Sequence, residues 1–217
     1  MDVQPNTPSQ EGVEENPKSH TRSAVELILI IGAVFLATFG IQAFLIKPYS
    51  IPSGSMEPTL AIGQRILVNR IGMSISGPHV GQIVVFHPPL DAVRGYCGTP
   101  PNAVSLGESA CTITEAQPSS ATFVKRVVAG PGDIISIIGG HVIRNGKQEK
   151  DSYTRVCTGG LECDFPVPIK VPAGHWFMMG DNRGGSDDSR FWGPVPTKWI
   201  IGSVFATYWP LNRIGVL

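Results

Sequence analysis

Three short segments carry residue types at spacings that suit chemistry. The first is Tyr49–Leu60, YSIPSGSMEPTL. Ser53 and Ser55 flank Gly54, and Pro52 and Pro58 stiffen the chain on either side by fixing φ. Gly54 lets the backbone turn sharply or approach another strand closely. Small hydroxyls on a rigid turn are what a nucleophile with a neighbouring oxyanion donor needs. The same letters would also suit a plain Ser/Pro/Gly linker.

The second segment is Ala121–Asp133, ATFVKRVVAGPGD. A strand of period two sets Phe123, Lys125 and Val127 on one face and Val124, Arg126 and Val128 on the other. One of the two adjacent cations must therefore share a face with a bulky aromatic and a valine. Desolvation disfavours the charged form of such a lysine, by up to several pK units when it is fully buried. The result is an unprotonated amine able to act as a general base at neutral pH. A lysine that snorkels to water from a wet strand face is the competing reading.

The third is Gly180–Arg190, GDNRGGSDDSR, followed by FWGPVP. Asp181, Asp187 and Asp188 lack the D-x-[DN]-x-[DN]-G spacing of a calcium loop. A polar loop fits better, with Ser, Asp and Arg side chains bonding one another to hold a turn near a buried group. Other chemistries lack support. His20, His79, His87, His141 and His175 carry no triad signature, and G-x-S-x-G, S-x-x-K and H-E-x-x-H are all absent.

These segments must be positioned by a chain of 217 residues rich in turn formers, with Gly 25 and Pro 19. Such punctuation suits many short strands better than a helical bundle. Lys+Arg and Asp+Glu balance at 17 each, which removes the electrostatic case for a nucleic-acid partner. Residues 1–22 are polar, carry three prolines and show no apolar period, so they read as a disordered tail. Leu27–Ile46 then runs without an Asp, Glu, Lys or Arg. It is long enough, at about 1.5 Å per residue, for a helix across a hydrocarbon core of roughly 30 Å. A removable signal peptide is the rival, but the run exceeds the usual h-region of ~7–15 residues and no small-x-small site follows. A retained transmembrane helix over 23–46 is the reading. Lys18 and Arg22 against Lys47 lean weakly to a cytoplasmic N-terminus.

Beyond the span, 47–217 reads as one β domain. Strand signals fall at Gln64–Ile71, Gln82–His87, Ala121–Ala129, Asp133–Ile138, His141–Arg144, Trp176–Met179 and Trp199–Trp209, with Gly139–Gly140 as a hairpin turn. Two stretches, about 88–120 and 146–168, interrupt them and read as surface insertions. Each holds two cysteines: Cys97 and Cys111, then Cys157 and Cys163. Neither spacing is CxxC and no histidine stands at zinc-ligand distance, so no metal is expected. Four cysteines allow three connectivities, of which pairing within each insertion is the simplest. Disulfides there imply an oxidising, extracytoplasmic compartment.

In this order, IPSGSMEPTL, GQRILVNR, GQIVVFHP, FVKRVVAGPGD and GDNRGGSDDSRFWGPVP closely resemble the bacterial type I signal peptidases, membrane-bound Ser/Lys proteases. The likeness covers most of 23–217 apart from the two insertions. It implies a mainly β fold, a signal-peptidase/LexA-like folded antiparallel sheet or partly closed barrel behind one N-terminal transmembrane helix. It implies Ser55 as nucleophile, Lys125 as general base, Ser53 with the Ser55 amide as oxyanion hole, and Ser186 orienting the amine. Asp188 and Arg190 would support the turn. Ile51, Pro52, Met56, Leu60, Phe123 and Val124 would line pockets for small residues at −1 and −3 of the substrate. The implied partners are preproteins bearing signal peptides and membrane lipid, at the inner (plasma) membrane, with no cofactor. Many relatives read GDNRDNS where this chain has Gly184–Gly185, which removes an Asp–Asn pair from the loop. Glu57 adds a carboxylate beside the site. Dedicated maturation peptidases of conjugation or secretion systems, and an idle membrane-anchored binding domain, are the alternatives.

Overall fold

The computed structural model describes residues 17–90, 92, 97–98, 107–155, 157–158 and 163–217. It divides into a helical unit that ends at Gln42 and a compact unit, Ala43–Leu217. The helix α1 spans Pro17–Phe44. It starts before the expected boundary, within the segment read as a disordered tail; residues 1–16 of that tail lie outside the described residues. Pro17 suits a helix start because its missing N–H would have no partner in the first turn. Between Ser23 and Gly40 the helix is long and apolar enough to cross a membrane, with a mean hydropathy of 2.1. Leu29, Phe35, Leu36 and Phe39 are all exposed.

The second unit is mainly β. Strands β1 (Ile46–Ser50), β2 (Arg65–Asn69), β3 (Ile83–Phe86), β4 (Phe123–Ala129), β5 (Ile134–Ile138), β6 (His141–Arg144), β7 (Lys147–Gln148) and β8 (Phe165–Lys170) come first. They are followed by β9 (His175–Met179), β10 (Val195–Pro196), β11 (Ile200–Trp209) and β12 (Gly215–Val216). The larger sheet runs β1-β2-β11-β3-β4-β9-β10, with β12 added to β11; the smaller runs β7-β6-β5-β8. Each pairing between these named strands is antiparallel. Helices α2 (Ile71–Ser76) and α3 (Ser189–Trp192) are short.

Several boundaries differ from the sequence reading for local reasons. Ile46 opens β1 rather than closing the span, and this edge strand tolerates Pro48 because its outer side needs no ladder bond. The strand expected to reach Ile71 ends at Asn69, whose side chain accepts from the Gly72 N–H at 3.0 Å and starts α2. The second insertion supplies β7 and β8, so it is partly sheet. Pro166 and Pro168 of β8 share one side, which an edge strand can leave unbonded. The first insertion contributes Ala92, Ala110 and Cys111 to the buried interior, and the Cys111 N–H donates to the Arg190 carbonyl at 2.9 Å. Residues 91, 93–96, 99–106, 156 and 159–162 of the two insertions lie outside the described residues. The disulfides are Cys97–Cys111 and Cys157–Cys163.

Alternation along β4 divides its side chains between two apolar clusters. Phe123 and Val127 pack with Val84, Phe86 and Trp192, while Val124 packs with Ile51, Met56, Leu60 and Val85. The β3–β4 register sets Lys125 opposite Val84, and the β4–β9 register sets Arg126 opposite Met179. The end of β9 is thereby brought alongside Lys125, where the chain leaves the sheet at Gly180.

Candidate active site

Ser55 sits in a 3-10 turn, Gly54–Met56, between β1 and β2. Met56 anchors the turn from below, being 1% exposed, while Ser55 is half-buried and Ser53 exposed. The Ser53 hydroxyl lies 3.4 Å from Ser55 Oγ, a loose contact that turns both oxygens to one side. The chain after β9 holds this turn from across the molecule. The Asn182 N–H donates to the Ser55 carbonyl at 3.0 Å, and Asn182 Nδ2 donates to the Gly54 carbonyl at 3.1 Å. Gly180 makes the approach possible, since a Cβ there would overlap both the Ser55 carbonyl oxygen and Ser186 Oγ.

Lys125 is 4% exposed, and its Nζ donates to Ser186 Oγ at 3.0 Å. Burial pushes the amine down from 10.5 to about 8. The carboxylates of Asp188, Asp187 and Asp181 pull it upward and Arg190 pushes it down, but burial prevails. Burial therefore brings the neutral amine within reach near neutral pH.

Behind the amine lies a buried ion pair. Arg190 Nε donates to Asp188 Oδ1 at 2.8 Å and Nη2 to Oδ2 at 3.0 Å. Nη2 also reaches the Arg183 and Ser186 carbonyls, at 2.7 and 3.0 Å. Asp188 caps α3 and accepts from the Gly180 N–H at 3.0 Å. Burial alone would raise its pKa, but Arg190, the Lys125 amine and the Gly180 N–H outweigh it and hold the carboxyl below the ordinary range. With the Asp188 and Arg190 charges bonded to each other and to the backbone, the pair can be buried and still hold Ser186 against Lys125.

A cleft of about 430 Å³ runs past these groups, lined by Tyr49–Ser53, Ser55, Met56, Thr122–Lys125, Gly185 and Asp187. It brings together Ser53, Ser55 and Lys125 with Ile51, Pro52, Met56, Phe123 and Val124. Ser186, Asp188 and Arg190 lie behind Lys125. Leu60 does not line the cleft: it is fully buried with Ile66 and Val68, because the apolar end of the segment after Ser55 anchors the turn from inside. Among the described residues no histidine lines the cleft. His87 Nδ1 instead lies 2.9 Å from the Ala121 carbonyl, and His141 Nδ1 lies 2.8 Å from Asp151.

Sequence reasoning missed a second brace. Arg126, turned away from Lys125, grips Asp181 through Nε to Oδ1 at 2.8 Å and Nη2 to Oδ2 at 2.7 Å. Thr59 Oγ1 donates to the same carboxylate. One acid thus ties β4 to the segment after Ser55. The available signal was Arg126 itself, a cation on the opposite strand face that needed a counter-ion. Glu57 pairs with Arg155 at 3.0 Å and does not line the cleft.

Residues 24–209 match the family model described as "Signal peptidase, peptidase S26". The chain is 34% identical to a signal peptidase I of Leptolyngbya laminosa over 98% of its own length and 93% of the relative. It is 34% identical to probable signal peptidase I-2 of Synechocystis sp., over 87% of this chain and 74% of that one. With probable signal peptidase I-1 of the same organism the identity is 35%, over 87% and 84%.

Proposed function

The chain belongs to the signal peptidase family, peptidase S26, and from that premise we propose a membrane-anchored endopeptidase that removes signal peptides with Ser55 as nucleophile and Lys125 as general base. The observation that carries this reading is the buried Lys125 amine, bonded to Ser186 and opening on the same cleft as Ser55. Neutral Lys125 takes the hydroxyl proton as Ser55 Oγ bonds to the carbonyl carbon of the −1 residue. The oxyanion is stabilised by the Ser55 N–H and the Ser53 hydroxyl. The ammonium then protonates the departing nitrogen as the C–N bond breaks. A water molecule, deprotonated by Lys125, hydrolyses the ester and frees Ser55. A substrate lying over the cleft excludes water from the amine and favours its neutral form further.

The acyl side of the substrate lies extended between β1 and β4. Ile51, Pro52, Met56, Phe123 and Val124 form pockets that admit small side chains at −1 and −3. Helix α1 is the one candidate span among the described residues, and the two disulfides support an extracytoplasmic β domain. Ser55→Ala and Lys125→Ala are each expected to abolish cleavage of Ala-x-Ala preproteins in detergent while leaving the fold intact. Lys125→Arg is expected to be dead as well, since a guanidinium does not deprotonate. Near-normal turnover by any of the three defeats the assignment. Cleavage of several unrelated preproteins, rather than one, separates a general signal peptidase from a dedicated maturation enzyme.

A further inference from the structure

Ser55 hangs between two peptide units, Gly54–Ser55 before it and Ser55–Met56 after it, and one residue of the loop after β9 grips both. The Asn182 N–H donates to the Ser55 carbonyl at 3.0 Å, and Asn182 Nδ2 donates to the Gly54 carbonyl at 3.1 Å. A carbonyl only accepts, so the nitrogen of the side-chain amide, and not its oxygen, must face Gly54. The Glu57 N–H also reaches the Gly54 carbonyl, at 3.1 Å, but that bond belongs to the 3-10 turn itself. Asn182 restrains the turn from outside.

The Gly54–Ser55 peptide is planar and trans, so its N–H points opposite to its C=O. With the Gly54 carbonyl tied to Asn182, the Ser55 N–H faces away from Asn182, and its direction is set by a bond remote from the reacting atoms. That N–H is the main-chain oxyanion donor of the mechanism proposed above. A carbonyl that accepts a hydrogen bond also polarises its own peptide unit and makes the N–H a better donor. Ser53, the other donor, is exposed and its hydroxyl can rotate, so the amide is the one whose direction the fold can fix.

Asn182 is itself held firmly. Its neighbours are buried, Asp181 in the grip of Arg126 and Arg183 with Nε donating to the Gly180 carbonyl at 3.1 Å. Its own carbonyl accepts from the Gly185 N–H at 3.0 Å. Gly185 also leaves room for the side chain, since a Cβ there would stand 2.7 Å from Asn182 Nδ2.

We propose that Asn182 is a positioning residue for the reaction: its side chain aims the Ser55 N–H at the developing oxyanion by fixing the Gly54–Ser55 peptide plane. The inference rests on the endopeptidase reading above and adds to it a residue that does not line the cleft.

The test compares the native enzyme with Asn182→Ala, Gly185→Ala and the double variant, each full-length in detergent, on a peptide with an Ala-x-Ala site. Asn182→Ala keeps the main-chain bond to Ser55 and changes no charge. Its kcat is expected to fall about tenfold, short of the roughly 10²–10³-fold that outright loss of an oxyanion donor costs. KM should stay within about twofold of native, and the midpoint of the pH profile should not move, because the Lys125 amine keeps its surroundings. Gly185→Ala pushes Nδ2 off the Gly54 carbonyl and should also lower kcat. The double variant should be no slower than Asn182→Ala alone, since both changes break the same bond. An unchanged kcat in Asn182→Ala, a loss carried by KM, a displaced midpoint, or losses that multiply in the double variant each overturn the inference and leave the endopeptidase reading standing. If Asn182→Ala does not fold, Gly185→Ala decides alone, and a native kcat there overturns the inference. Failure of the native enzyme to cleave, or cleavage by Ser55→Ala, overturns that reading and the inference with it.

Discussion

At the scale of the residue, the proposed chemistry turns on one amine. In that mechanism Lys125 must be neutral to accept the Ser55 proton, and burial brings it to about 8 in the folded chain. Activity is therefore expected to climb about tenfold per pH unit below that value and to level off above it, as a pH profile of kcat/KM on a peptide substrate would show. Asp188 and Asp187 both pull the amine upward. The midpoint in Asp187→Asn should accordingly move to lower pH; a midpoint that stays or rises would mean that some other group limits the rate.

The same burial has a cost in stability. The unfolded chain titrates Lys125 near 10.5 and the folded chain near about 8, so between these values the unfolded state holds a proton that the fold does not. Stability contributed at this site thus rises with pH across that window, and below it the penalty is complete and constant. Lys125→Met keeps the length of the side chain without its charge. Near neutral pH it is expected to unfold about 3 kcal/mol later than the native protein, and the gain should fade as pH approaches 10.5. Denaturant titrations at several pH values measure it; an advantage independent of pH would mean that the amine is not the source.

At the scale of the element, the site is a joint between pieces far apart in sequence. That Ser53, Ser55 and Lys125 could share one cleft was legible because each signal is local: Ser-Gly-Ser between prolines, and an alternating strand with a misplaced cation. The Arg126–Asp181 brace joins positions 55 residues apart, and no local pattern announces it. Strands β1 and β8 were hidden by Pro48, Pro166 and Pro168, which read as linker letters until an edge position makes them harmless. The position of the second disulfide was equally invisible. Cys157 packs against Gly140 of the β5–β6 turn, where an added Cβ would stand 2.8 Å from its Cβ. The Gly140 N–H donates to the Cys163 carbonyl at 2.8 Å, and a Cβ at Gly184 would lie 3.6 Å from Cys157 Sγ. The bridge therefore wedges between the small sheet and the 3-10 turn Arg183–Gly185 that leads to Ser186. Replacing both cysteines with serine should cost roughly 2 kcal/mol for so short a loop. It should also lower kcat with little change in KM, because Ser186 acts on the amine and not on substrate binding. Steady-state kinetics on a peptide would show it, and an unchanged kcat would mean that the Asp188–Arg190 pair holds the turn unaided.

At the scale of the whole molecule, sequence distance does part of the work. A single residue, Leu45, joins the end of α1 to β1, and Ser55 follows five residues after that strand closes. Ser55 lies nine positions after Ile46, at most about 30 Å of extended chain. In the proposed anchored enzyme the nucleophile cannot stray far from the bilayer, where a signal peptide presents its cleavage site just beyond its own apolar segment. Confinement of both partners then raises their effective concentration and orients them. Inserting about twenty Gly/Ser residues directly after Phe44 adds roughly 25 Å of root-mean-square reach and loosens that confinement. The expected outcome is a several-fold loss in cleavage of a preprotein embedded in the same vesicles, while hydrolysis of a soluble peptide by the same variant stays within about twofold of native, since the cleft is untouched. Parallel losses on both substrates would point to damage in β1 instead. No loss on either would show that the short connection contributes nothing, and that the cleft alone selects where the chain is cut.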